Sequence, residues 1–426
     1  MSTAAVEHFK TLRGTLRVPG DKSTSHRALM VSSLAEGEST IRGLSPGLDV
    51  AATSQIMEQL GATRDDRDDV VTIVGPKNGL RASDGALDCG NSGTTMRLLA
   101  GIVSGVVGEH RLVGDASLSK RPMDRVAEPL TLMGSNVQGQ GARLSAPLRI
   151  VGSDALRGIA YEVPMASAQV KSAILFAALS ADGPTTVAEH VRTRPTTEAM
   201  FSRAGVSIES IETGDGRRVT VRPGRPFARN WLVPGDPSQA AFFAVLGSIH
   251  PDAEVEILDI DNAPERVGFL SVLRRMGATM TVTSDDSMTS FRVRSSQLAA
   301  TEVRASEIPS VDEVPALVVA AAAAEGLSRF RDVGELRVKE SDRFAASLTL
   351  ATKLGCRAWS EGDDLCIEGL GSATRFSNFE FDAALDHRLV MASAIAGAAG
   401  AGCSIGAADT VASSYPYFFD DLERLA

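Results

Sequence analysis

The chain has 426 residues, of which 43% are hydrophobic and 23% are charged, and its mean hydropathy is +0.02. This composition excludes a mainly disordered or fibrous protein, and the length predicts two domains of roughly 200 residues each. With 53 acidic and 43 basic residues the net charge is −10, so no overall positive field exists to attract a nucleic acid or an anionic membrane.

Six similar segments follow one another along the chain, and in each an apolar pair meets a polar turn and then a helical pattern. Their spacings, by subtraction of the starting numbers, are 69, 76, 70, 75 and 73 residues. The segments are VPGDKSTSHRALM from Val18, LDCGNSGTTMRLL from Leu87, VPMASAQVKSAIL from Val163, VPGDPSQAAFFAV from Val233, IPSVDEVPALVVA from Ile308 and FDAALDHRLVMAS from Phe381. The sequence therefore predicts six repeats of about 70 residues, each a small supersecondary block with its own sheet.

A glycine followed by a strand-like stretch marks five of the repeats, at Gly61, Gly134, Gly205, Gly277 and Gly355. A glycine at this place fits the left-handed end of a helix. In the first repeat we expect strands over 16–19, 39–44 and 70–74, and helices over 25–34 and 48–60.

The tetrapeptide Val-Pro-Gly-Asp occurs at residues 18–21 and again at 233–236, which divides the six repeats into two groups of three. The alternation of strands and helices predicts an α/β fold with right-handed crossovers. We therefore expect two similar domains, one over residues 20–232 and the other over 1–19 plus 233–426.

Polar residues gather where the predicted helices begin, and a helix N-terminus with free backbone N–H groups is a natural anion site. In the first segment Lys22 supplies a point charge, Ser23 a hydroxyl and Arg27 a fork for phosphate or carboxylate. In the second, GNSGTTMR over 90–97, two glycines let backbone amides approach a ligand. An ordinary capped amphipathic helix is the alternative reading of the first segment.

The middle of the chain repeats this pattern. Lys120 and Arg121 stand before Pro122, a favoured first helical residue, so Arg121 is predicted to lie at another helix start; a surface basic pair is the alternative. The third segment and the next turn offer a hydroxyl, a backbone amide, a side-chain amide and a guanidinium, from Ser167, Ala168, Gln169 and Arg194.

The second half of the chain adds carboxylates. Asp312 and Glu313 open the fifth repeat, and the run LRVKESDR over 336–343 interleaves three cations with two carboxylates. Such a run usually forms a solvated helix face. The sixth segment places Asp386, His387 and Arg388 before an apolar run, whose helix we expect to be largely buried; a lone histidine there is more often a core residue than a catalyst.

The sequence lacks the motifs of several functional classes. The sequence has no Walker A or Rossmann fingerprint, no Gly-x-Ser-x-Gly elbow and no metal-ligand spacing, which argues against kinase, dehydrogenase and hydrolase functions. The four scattered cysteines suit a reducing compartment, and the longest apolar runs fall short of the roughly 20 residues that span a bilayer. We expect a cytoplasmic protein without metal, cofactor, nucleic-acid or membrane partners.

Four motifs together resemble 5-enolpyruvylshikimate-3-phosphate synthases, in order along essentially the whole chain: GDKSTSHR over 20–27, GNSGT over 90–94, GDASLSKRPM over 114–123 and LRVKESDR over 336–343. The resemblance implies a transferase that moves the enolpyruvyl group of phosphoenolpyruvate onto the 5-hydroxyl of shikimate 3-phosphate in the shikimate pathway to aromatic amino acids. It implies a monomer with two domains of three βαββαβ repeats, an inside-out α/β barrel with the active site in the cleft between the domains.

The resemblance also assigns residues. For shikimate 3-phosphate it implies Lys22, Ser23, Arg27, Ser167, Ala168, Gln169, Arg194, Asp312 and Lys339. For phosphoenolpyruvate it implies Lys22, Asn91, Gly93, Arg121, Gln169, Arg343 and Arg388. Asp312 is the implied base for the hydroxyl proton, while Glu340, assisted by Lys22, handles the methylene proton.

The chain departs from the family pattern at two positions. Ser413 stands where some members carry a lysine, and Ala168 where others have serine. The small Gly93 leaves room beside phosphoenolpyruvate, so we expect sensitivity to glyphosate, the phosphonate inhibitor of the family.

Two rival functions stay open at this point. UDP-N-acetylglucosamine enolpyruvyl transferase shares the fold and chemistry, but it typically has Lys-Asn at the first segment and a cysteine in the loop that here spans 114–123, whereas this chain has Lys22-Ser23 and no cysteine there. A non-catalytic anion-binding module needs no acid or base, and Asp312 and Glu340 argue against it.

Overall fold

A computed structural model of the chain describes residues 2–214, 216–371 and 375–426. The helices are α1 (Lys22–Leu34), α2 (Leu48–Gln59), α3 (Gly93–Ser104), α4 (Asp124–Leu132), α5 (Ala168–Ala178), α6 (Thr196–Arg203), α7 (Pro237–Ile249), α8 (Gly268–Arg275), α9 (Val314–Ala323), α10 (Arg343–Lys353), α11 (His387–Ala399) and α12 (Phe418–Arg424). Short 3₁₀ helices span Leu118–Lys120, Ala305–Glu307, Gly334–Val338 and Ala408–Ser413.

The strands are β1 (Thr3–Val6), β2 (Leu12–Leu16), β3 (Gly37–Arg42), β4 (Thr63–Arg67), β5 (Val70–Gly75), β6 (Leu87–Asp88), β7 (Gly108–Val113), β8 (Asn136–Gln140), β9 (Ser145–Gly152), β10 (Ala160–Val163), β11 (Thr185–Glu189), β12 (Ile208–Thr213), β13 (Gly216–Val221), β14 (Asn230–Leu232), β15 (Ala253–Asp261), β16 (Thr279–Ser284), β17 (Met288–Arg294), β18 (Glu302–Arg304), β19 (Glu325–Arg331), β20 (Arg357–Glu361), β21 (Asp364–Leu370), β22 (Phe379–Asp382) and β23 (Cys403–Gly406).

The chain forms two compact units. The continuous unit is Lys22–Val233, and the discontinuous unit combines Met1–Asp21 with Pro234–Ala426. Each unit has its own hydrophobic core.

The continuous unit contains three four-stranded sheets with the orders β14-β3-β5-β4, β6-β7-β9-β8 and β10-β11-β13-β12. In each sheet the first two strands are parallel and the remaining neighbours are antiparallel. The parallel pairs β6–β7 and β10–β11 are connected through α3 and α5, which makes them βαβ crossovers. This mixed sheet is the repeated block that the 70-residue spacing predicts.

The discontinuous unit follows the same plan in the sheets β2-β15-β17-β16 and β18-β19-β21-β20. Its third sheet has three strands in the order β1-β23-β22, where β1 lies antiparallel to β23 with Thr3 opposite Gly406. A strand from the first ten residues thus completes the sheet of the sixth repeat.

The first strand expected for the first repeat, over 16–19, was wrong. The strand before α1 is β2, which ends at Leu16 and pairs with β15 of the discontinuous unit. The sheet of the first repeat instead takes β14 as the parallel partner of β3. Local patterning shows where a strand lies, but its partner depends on contacts between residues more than 150 positions apart.

The five marker glycines confirm the predicted left-handed positions. Their φ angles are 111° at Gly61, 104° at Gly134, 77° at Gly205, and 97° at both Gly277 and Gly355. A strand follows each of them, namely β4, β8, β12, β16 and β20. The prediction for the first repeat omitted β4 because its sequence, TRDDR, is charged and largely exposed.

The helix that opens each repeat is buried on nearly all sides, and alanine allows this close packing. In α9 the sequence VPALVVAAAA is buried from Val314 to Ala322. A Cβ atom on Gly101 of α3 would lie only 2.1 Å from the carbonyl oxygen of Ala173 on α5, so the glycine permits the two helices to meet. Small residues thus allow close contacts between the repeat-opening helices.

Candidate active site

Side-chain caps fix the start of four helices in the predicted segments. Ser92 accepts a hydrogen bond from the Thr95 N–H at the start of α3, and Ser167 accepts one from Val170 at the start of α5. Asp236 and Asp386 cap α7 and α11 in the same way. Because each cap satisfies one N–H of the first turn, the predicted helix starts are confirmed at these four positions.

Lys22 is the first residue of α1, and its ammonium lies 2.9 Å from Oδ2 of Asp49 on α2. The hydroxyl of Thr95 lies 3.3 Å from the Asp49 carbonyl oxygen and 2.7 Å from Oγ of Ser92, so its single O–H hydrogen is within reach of both acceptors. These contacts connect the lysine to the capped start of α3.

Arg27 of the same helix is buried, with only 4% of its area exposed. Its Nε donates to Oγ1 of Thr197 at 2.6 Å, Nη2 to Oγ of Ser172 at 2.8 Å, and Nη1 to the carbonyl oxygen of Ser23 at 2.9 Å. Arg194 donates from Nη1 to Oγ of Ser23 at 3.4 Å. The structure therefore brings three predicted residues, Ser23, Arg27 and Arg194, into one hydrogen-bonded group.

Two guanidinium groups meet above the start of α3. Arg97 donates to Oε1 of Gln169 at 2.6 Å, and Arg121 donates to Oδ1 of Asn91 at 2.9 Å. A Cβ atom on Gly93 would lie 2.9 Å from Nη1 of Arg97 and 3.0 Å from Nη1 of Arg121. Paired guanidinium groups at a helix start form an arrangement that binds phosphate or carboxylate.

The predicted role of Pro122 as the first residue of a helix was wrong. Helix α4 begins at Asp124, and the N–H groups of Met123 and Asp124 donate to the carbonyl oxygen of Arg143. This contact comes from a residue on a distant turn, so the local sequence does not reveal it. Arg121 precedes the helix by three positions and reaches Asn91 from there.

In the discontinuous unit, Arg343 collects three carboxylates. Its Nη1 lies 3.1 Å from Oδ1 of Asp312, its Nη2 2.6 Å from Oε2 of Glu340, and its Nε 2.7 Å from Oδ2 of Asp386. Burial by itself lowers the pKa of Arg343, but the charges of Asp386, Glu340 and Asp312 outweigh it and raise the pKa above the ordinary value. The guanidinium is therefore a permanent positive centre.

The three carboxylates of this cluster differ in exposure. The side chain of Asp386 is 0% exposed, whereas those of Asp312 and Glu340 are 16% and 21% exposed. The accessible pair are the two residues predicted to move protons. The run 336–343 is not one continuous solvated helix face: it holds the end of the 3₁₀ helix Gly334–Val338 and the start of α10, where Arg343 is buried, while Arg337 and Asp342 are exposed.

Arg388 and Lys339 lie beside this cluster. Arg388 donates to the carbonyl oxygen of Asp312 at 3.3 Å, and its Nη2 lies 3.5 Å from the Asp312 carboxylate. Lys339 donates to the carbonyl oxygen of Ser310 at 3.2 Å. Between Ser310 and Asp312, Val311 has a φ of 50°, which a β-branched residue adopts only at a cost of about 1 to 3 kcal/mol. The backbone before Asp312 is thus held in a strained form.

A second buried arginine supports the segment that carries Asp312. Arg266 lies 2.5 Å from Oδ2 of Asp21 and 2.8 Å from Oδ1 of Asp236. It also donates to Oγ of Ser238 at 3.2 Å, and that hydroxyl donates to Oε1 of Glu313 at 2.5 Å. Since Glu313 directly follows Asp312, this network fixes the start of α9.

The model of the EPSP synthase (3-phosphoshikimate 1-carboxyvinyltransferase) family matches residues 6–422 of this chain. The chain therefore belongs to the EPSP synthase family. The 3-phosphoshikimate 1-carboxyvinyltransferase of Prochlorococcus marinus (strain MIT 9303) is 42% identical over 97% of this chain and 96% of its own length. That of Synechococcus sp. (strain WH7803) is 41% identical over 100% and 99% of the two chains.

Solved structures agree with this EPSP synthase assignment. The EPSP synthase of Acinetobacter baumannii is 36% identical, with a TM-score of 0.87 over 100% of this chain and 98% of that one. The enolpyruvyl transferase NikO from Streptomyces tendae has a TM-score of 0.79 at 19% identity, a likeness of fold alone. The two-domain inside-out α/β fold expected from the sequence is therefore confirmed.

Several contacts of this EPSP synthase family member were missed by sequence reasoning. They involve Asp49, Arg97, Ser172, Thr197 and Asp386, which bind predicted residues. The spacing of four between Gly93 and Arg97 on a helix is a signal that could have revealed Arg97, because such residues share a face. The other partners come from different segments, and no local pattern marks them.

The two departures from the family pattern lie at the ends of helices. Ser413 is half-buried at the end of a 3₁₀ helix, and Ala168 is the first residue of α5, where its backbone follows the Ser167 cap.

Within the described residues, no cluster of three or more histidine, cysteine or acidic side chains is suited to a metal ion, and none of the helices is long and apolar enough to cross a membrane.

Proposed function

We propose that the protein transfers the carboxyvinyl group of phosphoenolpyruvate to the 5-hydroxyl of shikimate 3-phosphate and releases phosphate. The family match along almost the whole chain and relatives named for this activity support the proposal. The observation that carries it is the pair of accessible carboxylates, Asp312 and Glu340, held by one buried guanidinium. A simple anion-binding protein has no use for this pair.

The reaction needs two proton transfers, and the carboxylate pair fits both. Asp312 takes the proton of the 5-hydroxyl while the oxygen attacks the central carbon of phosphoenolpyruvate, and Glu340, assisted by Lys22, gives a proton to the methylene carbon. The product of these steps is a tetrahedral ketal that still carries phosphate. Glu340 then takes a methyl proton back, the carbon–oxygen bond to phosphate breaks, and the proton from the hydroxyl leaves with phosphate.

Arg343 has a positioning role in this scheme, since both accessible carboxylates lie on its guanidinium. A planar, always charged fork fixes the carboxylates in direction as well as distance. It also places positive charge beside the groups that gain and lose protons, where preorganised charge is most effective.

We assign substrate binding to the cationic groups described above and their polar neighbours. Shikimate 3-phosphate is bound by Lys22, Ser23, Arg27, Ser167, Ala168, Gln169, Arg194, Asp312 and Lys339. Phosphoenolpyruvate is bound by Lys22, Asn91, Gly93, Arg121, Gln169, Arg343 and Arg388. The meeting of two guanidinium groups at Gly93 favours a phosphate or carboxylate there. Since the protein carries a net charge of −10, its positive groups must be concentrated to hold two anions. We further propose that it works as a cytoplasmic monomer.

Phosphate release in the presence of both substrates tests the proposal. The wild-type protein should release phosphate only when both are present. Asp312→Asn and Glu340→Gln should lower kcat by on the order of 10²-fold or more, with KM changed less than threefold, because they remove proton transfer and keep side-chain size. Glu368→Gln, an exposed carboxylate on β21, is the matched control and should retain full activity. Absence of phosphate release by the wild type, or full turnover by both variants, would refute the assignment.

A further inference from the structure

A buried lysine that the proposed mechanism does not use lies within the continuous unit. Lys171 on α5 has a side chain with 0% exposure. Its ammonium lies 2.7 Å from Oε2 of Glu189 at the end of β11 and 2.6 Å from Oε1 of Glu198 on α6, and these carboxylates are 2% and 6% exposed. One ammonium therefore joins three separate elements of the unit.

In this triad of Lys171, Glu189 and Glu198, each glutamate is connected through a neighbouring residue to a side chain assigned to shikimate 3-phosphate. Glu189 accepts hydrogen bonds from the backbone N–H and the hydroxyl of Thr193, at 2.5 Å and 3.1 Å, and Thr193 directly precedes Arg194. Glu189 therefore anchors the short turn that presents the Arg194 guanidinium to Ser23.

The second branch leads to Arg27. Glu198 directly follows Thr197, whose hydroxyl accepts from Arg27 at 2.6 Å. Lys171 itself directly precedes Ser172, whose hydroxyl accepts from Arg27 at 2.8 Å and lies 2.7 Å from the hydroxyl of Thr197. The hydroxyls of Thr197 and Ser172, which accept from the Arg27 guanidinium, thus belong to direct chain neighbours of the triad.

A buried ion pair is a poor means of stabilising a fold, because well-packed apolar side chains of the same volume do as well or better once the loss of hydration is counted. What such a triad supplies is spacing: it fixes the separation of α5, β11 and α6 through charged contacts. A misplacement of about 1 Å in a positioning group costs on the order of 10²-fold in rate, so a fixed separation matters at this place.

We propose that Lys171, through Glu189 and Glu198, is a positioning residue that sets the geometry of Arg194 and Arg27 for the phosphate group of shikimate 3-phosphate. This inference rests on the function proposed above. Lys171 does not touch the substrate; it acts through the Thr193–Arg194 turn and the Thr197–Ser172 hydroxyl pair.

The test uses a neutral triad. In the triple variant Lys171→Met, Glu189→Gln and Glu198→Gln, side-chain sizes are kept and no unpaired charge is buried, so the unit should still fold. We expect KM for shikimate 3-phosphate, and its Kd by calorimetry, to rise by about tenfold or more, with KM for phosphoenolpyruvate changed less than about threefold. If the triple variant does not fold, Glu198→Gln, which keeps the Lys171–Glu189 pair, is measured with the same expectation.

Leu175→Ala is the matched control, since Leu175 is a fully buried residue on the same helix. Its melting temperature should fall while both KM values stay at the wild-type level, which separates positioning from general loss of stability. Wild-type KM and Kd for shikimate 3-phosphate in a folded triad variant would overturn the inference. Failure of the wild-type protein to release phosphate would instead refute the proposed function.

Discussion

Removing the buried carboxylate of Asp386 should destabilise the discontinuous unit, and the two roles of this residue can be separated. One oxygen, Oδ2, lies 2.7 Å from Nε of Arg343, and both side chains are almost completely buried. The other oxygen, Oδ1, accepts from Nη2 of Arg343 at 3.1 Å and also caps α11 by accepting from the Arg388 N–H at 3.0 Å. Asp386→Asn removes the charge and keeps a cap, whereas Asp386→Ala removes both.

The expected magnitudes follow from these contacts. Breaking a buried pair by removing one partner costs about 3 to 5 kcal/mol, and the lower end applies because Asp312 and Glu340 still face Arg343. Loss of an N-cap costs about 1 kcal/mol. We therefore expect the free energy of unfolding to fall by about 3 kcal/mol for Asp386→Asn and by about 4 kcal/mol for Asp386→Ala.

The distribution of tryptophan provides the assay. The chain has two tryptophans, Trp231 in the continuous unit and Trp359 in the discontinuous unit. In a Trp231→Phe background, urea denaturation followed by tryptophan fluorescence reports on the unit that holds Asp386, and the background protein is the reference. Losses below about 1 kcal/mol for both variants, or equal losses for asparagine and alanine, would refute the reasoning about paired charge and cap.

Three further predictions concern the continuous unit. Gly101→Ala should lower the stability of this unit severely, because the new Cβ would lie 2.1 Å from the Ala173 carbonyl oxygen. Thermal melting would check this, with Gly141→Ala as a milder comparison: a Cβ on Gly141 would meet no atom within 4 Å, although the φ angle there is positive. Gly93→Ala should weaken both phosphoenolpyruvate binding and glyphosate inhibition, because it presses on Arg121; an unchanged inhibition curve would contradict this. Burial lowers the pKa of His110 below 6.5 despite its backbone hydrogen bond, so the unfolded chain binds the proton first and stability should fall as the pH drops below about 6.5; His110→Gln should flatten the dependence of melting temperature on pH.

Features that depend on short stretches of chain were predictable from the sequence. Gly61 ends a helix because glycine adopts a positive φ at little cost, and Ser167 caps one because its hydroxyl reaches an N–H three residues away. Both effects act within a few residues, so the repeats and the helix starts could be placed without coordinates.

Features that depend on distant partners were not predictable. The sequence marks β2 as a strand but not its pairing with β15, about 240 positions later. Likewise Lys171 reads as one polar residue in an apolar helix, and only the fold brings Glu189 and Glu198 to it. Asp386 was noted beside Arg388, yet its pairing with Arg343 spans 43 positions. Charged residues become informative when their partners are known.

The pairing of β1 with β23 has a consequence for how the protein acquires its fold during translation. Residues 22–233 leave the ribosome as one uninterrupted stretch that already contains every strand of its three sheets, so this part can fold while synthesis continues. Residues 3–6 emerge earlier still, but their partner at 403–406 is made about 400 residues later. Strand β1 must therefore stay unpaired and free of aggregation while these residues are made, and the sheet that it completes forms only after the whole continuous unit has been synthesised.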